Sequence, residues 1–435
     1  MANDRPDQNR IRLLTTELAE VFGRAHDGSQ VEIVRAPGRV NLIGDHADYN
    51  EGLVLQAAIE LDTWIAFRRR ADGMVRLASR NSLVTGSFWI DALAPERDGA
   101  SRRAPRGSTG SAGPAGPASS LATDISDGPP GPIGNWSDYV AGTAWSLREA
   151  ALPIRGFEGV VDTTIPIGSG LGSSAALELA SALALLGGRG PAGPSLAVMA
   201  QRAERDFVGV ECGIVDQFAS AAGREGRALL IDCRSLETGY APLPYGVRLV
   251  ICDTGERREP GSPIQAIRRA ECARAVALLS EHIPGLCSMR DLDPTALRRR
   301  RRLLPENLAR RAEHVVSENA RVVATMAALA AGDLEALGRL FAESHASMRD
   351  LFEVSSPAVE TMNEIAATIP GVVASRMTGV GYGGSTVNLV LADAVPALQA
   401  AVSREYDRRT GLRGRVYPVA VVDGAGPVTV PNPEA

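Results

Sequence analysis

Runs of apolar and β-branched residues mark strands at 31–34, 53–59 and 63–68. Another, at 157–164, feeds a glycine-rich turn. Ala, Leu and Glu dominate 174–186 after that turn, which predicts a helix, and 196–208 reads as a second. Strands are expected at 227–232 and 248–253. The spacing then becomes helical over 264–281, 307–331, 334–352 and 357–367, before strands return at 372–377, 385–391 and 416–422. Strands and helices mix without regular β-α-β alternation, so the pattern predicts an α+β chain rather than a doubly wound sheet.

One stretch breaks this pattern. Residues 98–134 are Gly, Pro, Ala, Ser and Asp with a few arginines, too little apolar surface to offset the entropy of ordering. A disordered surface insertion is expected there. With 435 residues the chain has room for two domains. A net charge of −5 and the lack of an 18-residue apolar run argue against nucleic-acid and membrane partners. Arg298 to Arg302 form a basic run, but no stacking aromatics flank it, and a solvated face is expected. The five cysteines are widely spaced without a C-x-x-C pair, which fits a reducing cytoplasm better than a disulfide or zinc framework. The N-terminus shows no signal-peptide core.

The chain has no lysine: all 46 of its basic Lys/Arg positions are arginine. Phosphate sites of the Walker type and of protein kinases both use a lysine. Phosphates here would be held by backbone N–H groups, a metal and arginine. The run PIGSGLGSSAALE, at 166–178, suits that task. Gly168, Gly170 and Gly172 allow close backbone approach, and Ser173 and Ser174 open a helix whose N–H groups and dipole favour phosphate oxygens. A serine hydroxyl there can also ligate Mg²⁺. An ordinary turn with a serine cap would look the same on spacing alone. Asp216, in CGIVDQFAS, is a candidate base. A dense polar group, Arg39, Asp45, His46, Asp48, Tyr49 and Asn50, suits polyol recognition, although a solvated loop is the plain alternative. SRMTGVGYGGSTVNLV, at 375–390, is a second glycine-rich loop between strands. His314 and His345 fall in helical stretches and are expected to be structural or surface residues.

These segments resemble the GHMP small-molecule kinases, and the galactokinase family in particular. APGRVNLIGDHADYN is similar to the galactokinase signature, PIGSGLGSSAA to the superfamily ATP motif and SRMTGVGYGGSTV to its third motif. CGIVDQF, ALLIDCRSLET and ESHASMRDLFEVS match as well. The resemblance implies a two-domain GHMP kinase fold: an N-terminal domain like ribosomal protein S5 domain 2 over 8–222 and a ferredoxin-like C-terminal domain over 223–428. It implies ATP and Mg²⁺ as cofactors and a monosaccharide as substrate; a cytoplasmic monomer is expected. Asp216 takes the base position, with Arg39 the cation beside it. Gly168, Ser169, Gly170, Leu171, Gly172, Ser173, Ser174 and Ala175 take the ATP positions, and Ser174 and Glu204 the metal positions. Arg39, Asp45, His46, Asp48, Gly213, Asp216 and Gln265 take sugar positions, and Arg258 an arginine position near the site.

Four positions depart from the family pattern. Asp45 stands where Glu is usual, about 1.5 Å shorter in reach. Ala47 replaces Thr, Gln56 replaces Pro, and Gln265 replaces a sugar-contacting Tyr. They leave the nucleotide chemistry intact and open the choice of sugar to another hexose, a deoxysugar or a pentose such as arabinose. A sugar sensor without turnover is the rival of another class; the intact glycine motif and Asp216 count against it.

Overall fold

The computed structural model describes residues 4–24, 30–94, 135–188, 193–257 and 264–430. The expected insertion at 98–134 and Arg258 lie outside these described residues. An eight-stranded sheet is built from β1 (Glu32–Ile43), β2 (Leu53–Arg69), β3 (Met74–Ser79), β4 (Ser82–Trp89), β5 (Phe157–Thr163), β6 (Arg227–Asp232), β7 (Thr238–Pro242) and the short β12 (Gly426–Pro427). Its order is β12-β1-β2-β5-β3-β4, with β6 on the other half of β2 and β7 beside β6. A four-stranded antiparallel sheet runs β11-β8-β10-β9, from β8 (Val247–Asp253), β9 (Val372–Thr378), β10 (Ser385–Leu391) and β11 (Arg415–Val419). Hydrogen bonding to the first sheet therefore continues past residue 222, through β6, β7 and β12.

The helices are α1 (Asp4–Phe22), α2 (Ser137–Glu149), α3 (Ser173–Leu186), α4 (Pro194–Arg202), α5 (Val215–Ala222) and α6 (Ile264–Ser280). Then follow α7 (Pro294–Arg300), α8 (Glu306–Ala331), α9 (Leu334–Ser347), α10 (Pro357–Ala367), α11 (Val395–Ala401) and α12 (Asp407–Thr410). α3 and α5 pack against β1 and β2, and the largest core joins them to both sheets. α1 lays Ile11, Leu14 and Leu18, one face of a helix, on Ile33, Trp64 and Val160 of the first sheet. Two expected helices end in a π-helical turn, α4 at Ala203–Val208 and α9 at Met348–Phe352.

The expected break near residue 60 is bridged by a buried acid. β2 runs unbroken through 53–69 because Asp62 is satisfied on every side. It pairs with Arg10 at 2.5 Å and accepts from the Trp64 indole at 2.7 Å. β1 is also longer than expected, so the polar group that begins at Arg39 starts on a sheet strand rather than in a solvated loop. All five cysteines are free, and no described helix is long and apolar enough to cross a membrane.

Candidate active site

Arg39 joins the candidate base to the glycine turn. From β1 its guanidinium grips the Asp216 carboxylate with two nitrogens, Nε at 2.7 Å, and also donates to the Gly170 carbonyl. Its backbone N–H donates to the Leu171 carbonyl at 2.9 Å. Asp216 stands in the first turn of α5, with its side chain 31% exposed. One turn further along, the Ser220 hydroxyl donates to the Pro37 carbonyl at 2.5 Å and fixes α5 on β1. Two stretches 177 residues apart thus meet as a bidentate ion pair at the rim of the turn.

The turn itself is shaped for backbone binding. Gly172, at φ 77°, starts α3 without a side-chain cap, so the first amides of the helix have no intrahelical or capping partner. Gly168 and Gly170 are exposed, and Ser173 and Ser174 are half-buried at the helix start. Ser169, Leu171 and Ala175 point inward: the Ser169 hydroxyl donates to the Pro166 carbonyl at 2.6 Å, and the other two pack in the core. The second glycine loop faces this turn, with the Ser385 hydroxyl 3.3 Å from the Ser169 carbonyl.

Ser174 hydrogen-bonds the Glu204 carboxylate, which enters from the π-helical turn after α4. Burial and the Asp216 charge both raise the Glu204 carboxyl above its usual range. The Cys212 thiol, raised by burial and by Glu204, is a further donor to it. A hydroxyl and a carboxylate are hard oxygen donors that fit Mg²⁺.

The sugar-position residues fall into two groups. Asp48, Tyr49, Cys212, Gly213 and Arg269 line a cleft of about 700 Å³, ample for a monosaccharide. Gly213 abuts Asp48 so closely that a Cβ there would lie 2.3 Å from Oδ2. Asp48 is close enough to Asp216 to feel its charge; burial, with that charge, pushes its carboxyl up to about 6. His46, at φ 64°, is buried and its Nδ1 shares a hydrogen bond with the Tyr49 hydroxyl at 3.0 Å. Burial holds its imidazole down to about 3. Gln265 lies in the first turn of α6, four residues before Arg269 and on the same helix face, and the Arg269 guanidinium sits 5.3 Å from the Tyr49 ring centroid.

Asp45 is differently engaged. It is 4% exposed, pairs with the buried Arg376 of β9 and accepts from the Gly379 amide at 2.9 Å. Sequence reasoning did not single out Arg376, since nothing local in SRMTG announces a partner 331 residues away. It also missed Arg257, next to Arg258. Arg257 is held by Asp253 through two bonds of 2.7 and 2.8 Å, and its Cδ lies 3.6 Å from where a Gly168 Cβ would be. The absence of lysine pointed to arginine at the phosphates, without naming Arg257. His314 and His345 are structural, as expected: His314 bonds Ser347 and the Asp45 carbonyl, and His345 bonds Glu360 and the Met377 amide.

The galactokinase galactose-binding signature matches residues 17–69, and the N-terminal domain model of GHMP kinases matches 138–224. A galactokinase of Chloroflexus aurantiacus is 40% identical over 396 residues, 91% of this chain and 92% of that one. A galactokinase of Roseiflexus sp. is 38% identical over 416 residues, covering 95% and 97%. The crystal structure of Lactococcus lactis galactokinase with galactose superposes with a TM-score of 0.82 at 32% identity, covering 96% and 99%. Methanococcus jannaschii mevalonate kinase shares the fold at a TM-score of 0.58 and 15% identity.

Proposed function

Because this chain belongs to the galactokinase family of GHMP kinases, a two-domain α+β fold with sugar-kinase phosphotransferase activity, we propose that it phosphorylates the anomeric hydroxyl of galactose with ATP. The observation that carries this reading is Arg39, bonded at once to Asp216 and to the glycine turn. It sets an acceptor for a hydroxyl proton beside a cradle for phosphates.

The sugar lies in the cleft beside Asp48 and Gly213, its anomeric hydroxyl donating to Asp216. As that oxygen bonds to the γ-phosphorus, the bond from phosphorus to the ADP oxygen breaks and the hydroxyl proton passes to Asp216. Arg39 orients the carboxylate and faces the charge that spreads over the transferring group. The open amides of α3 and the Arg257 guanidinium hold phosphate oxygens, replacing the lysine that the chain lacks. Ser174 and Glu204 would hold Mg²⁺, which when bound neutralises phosphate charge. Catalysis is then mainly positioning and charge stabilisation.

A second reading of the sugar rests on Asp45. Both of its oxygens are already bonded to Arg376 and Gly379, which favours a substrate without a demanding hydroxyl at that end. Both readings are tested by ADP release with galactose, 6-deoxygalactose and arabinose, with the product identified. Turnover is expected with galactose, and a higher kcat/KM for either other sugar would favour the second reading. Asp216→Asn is expected to lower kcat about 10³-fold with ATP affinity retained. Sugar binding without ADP release by the wild type would sink the kinase reading in favour of a sensor.

A further inference from the structure

The buried acids of this chain divide sharply by their partners. Asp45, Asp62, Asp162, Asp253 and Glu318 each form an ion pair with an arginine: Arg376, Arg10 (for both Asp62 and Asp162), Arg257 and Arg321. Glu178 and Glu204, 0% and 5% exposed, have no such pair among the described residues. They lie against each other, and what lies between them is an amide. Gln217, fully buried, donates its Nε2 to Glu204 Oε2 at 2.7 Å and to Glu178 Oε2 at 3.1 Å.

The amide turns its NH₂ end to both acids, and its oxygen is left over. Gln217 Oε1 is buried without a hydrogen-bond partner among the described residues, whereas Glu178, its carboxyl raised well above the usual range by burial and by Glu204, also hydrogen-bonds Glu204. A buried orphaned acceptor costs stability, so its retention calls for a reason. Two further placements say what requires it. Ser174 and Glu178 are four residues apart on α3, hence on one helix face, and Ser174 bonds Glu204. Gln217 directly follows Asp216 on α5.

We propose that Gln217, braced by Glu178, is a positioning residue that sets the Glu204 carboxylate toward the divalent cation and ties that site to the turn bearing Asp216. Glu178 holds the amide, the amide holds one oxygen of Glu204, and the rest of that carboxylate faces Ser174. An arginine in place of Gln217 would neutralise the acids and leave no charge for the metal; a neutral donor orients them and keeps it.

The inference rests on the phosphotransfer reading, and the experiment separates the two. Mn²⁺ is titrated by electron paramagnetic resonance into enzyme saturated with ADP, and ADP binding without metal is measured by calorimetry. The wild type is expected to show an ADP-dependent Mn²⁺ site; absence of that site would overturn the metal reading itself and this inference with it. Gln217→Met, of similar volume, is expected to weaken Mn²⁺ about tenfold while metal-free ADP binding stays within twofold. Glu178→Gln, which keeps shape but no longer offers two acceptor oxygens, is expected to weaken Mn²⁺ at least threefold, and it carries the test should Gln217→Met not fold. Variants that bind Mn²⁺ within twofold of the wild type, or that lose metal-free ADP affinity in parallel, would overturn the positioning role and leave the kinase reading standing.

Discussion

Asp48 turns its burial into a pH dependence. A carboxyl withdrawn from water favours its neutral form, and the charge of Asp216 adds to this, so Asp48 ionises near pH 6. The backbone N–H of Tyr49 pulls the other way without cancelling it. As an acceptor for sugar hydroxyls it is strongest when ionised. The kcat/KM for sugar is therefore expected to fall as pH drops through about 6, while binding of ATP stays flat there. Asp48→Asn keeps the shape against Gly213 but cannot ionise. It should lower kcat/KM by about 10- to 100-fold, the worth of a hydrogen bond to a charged group, and erase the limb near pH 6. An acid limb left in place in this variant would assign it to another group.

At the scale of elements, the end of β1 is fastened to β9 and the loop after it. Arg376 donates to the Leu42 carbonyl at 2.9 Å and pairs with Asp45, and the Thr378 hydroxyl donates to the Asn41 carbonyl at 2.8 Å. Removing one partner of a buried pair strands the other charge, so Arg376→Met is expected to cost about 3–5 kcal/mol in urea unfolding. Arg376→Met with Asp45→Leu should recover much of that; a single variant losing under about 1 kcal/mol would mean that water reaches the pair. This seam also shows what a sequence can disclose. The glycine turn, Asp216 and the N-terminal polar group were legible because their chemistry is written in a few adjacent residues. Asp45–Arg376 was not, because side-chain complementarity across 331 residues leaves no local trace. β3 and β4 escaped notice since Leu83 and Val84 of this edge strand face solvent and blur its alternation. The continuity of β2 was hidden by Asp62, a buried acid whose partners lie elsewhere in the chain.

For the molecule as a whole, α8 concentrates buried titratable groups between the segment that follows β1 and helix α9. His314 is held down to about 4 by burial. Glu318 accepts from the Gly44 amide at 3.0 Å and the Ser344 hydroxyl at 2.6 Å; burial works against its charged form, but Arg321, His314, Arg376 and the Ser344 bond together outweigh that and hold it at about 2. Both folded values lie below the unfolded ones, so the stability each contributes is full above its unfolded value, 6.5 or 4.5, and drains away as pH falls toward the folded value. Asp48 works in the opposite sense. Its folded value of about 6 exceeds 3.8, so the fold takes up that proton first and gains relative stability on acidification. Net acid lability is a difference between such groups, and a single-site comparison isolates one of them. His314→Gln keeps an N–H for the Asp45 carbonyl but has no ring to protonate. Its unfolding free energy should improve relative to the wild type by on the order of 3 kcal/mol between pH 7 and pH 4, the worth of one proton over the interval from 6.5 to about 4. Parallel stability curves for the two proteins across that range would show that the imidazole gains its proton without unfolding, and that this layer admits water.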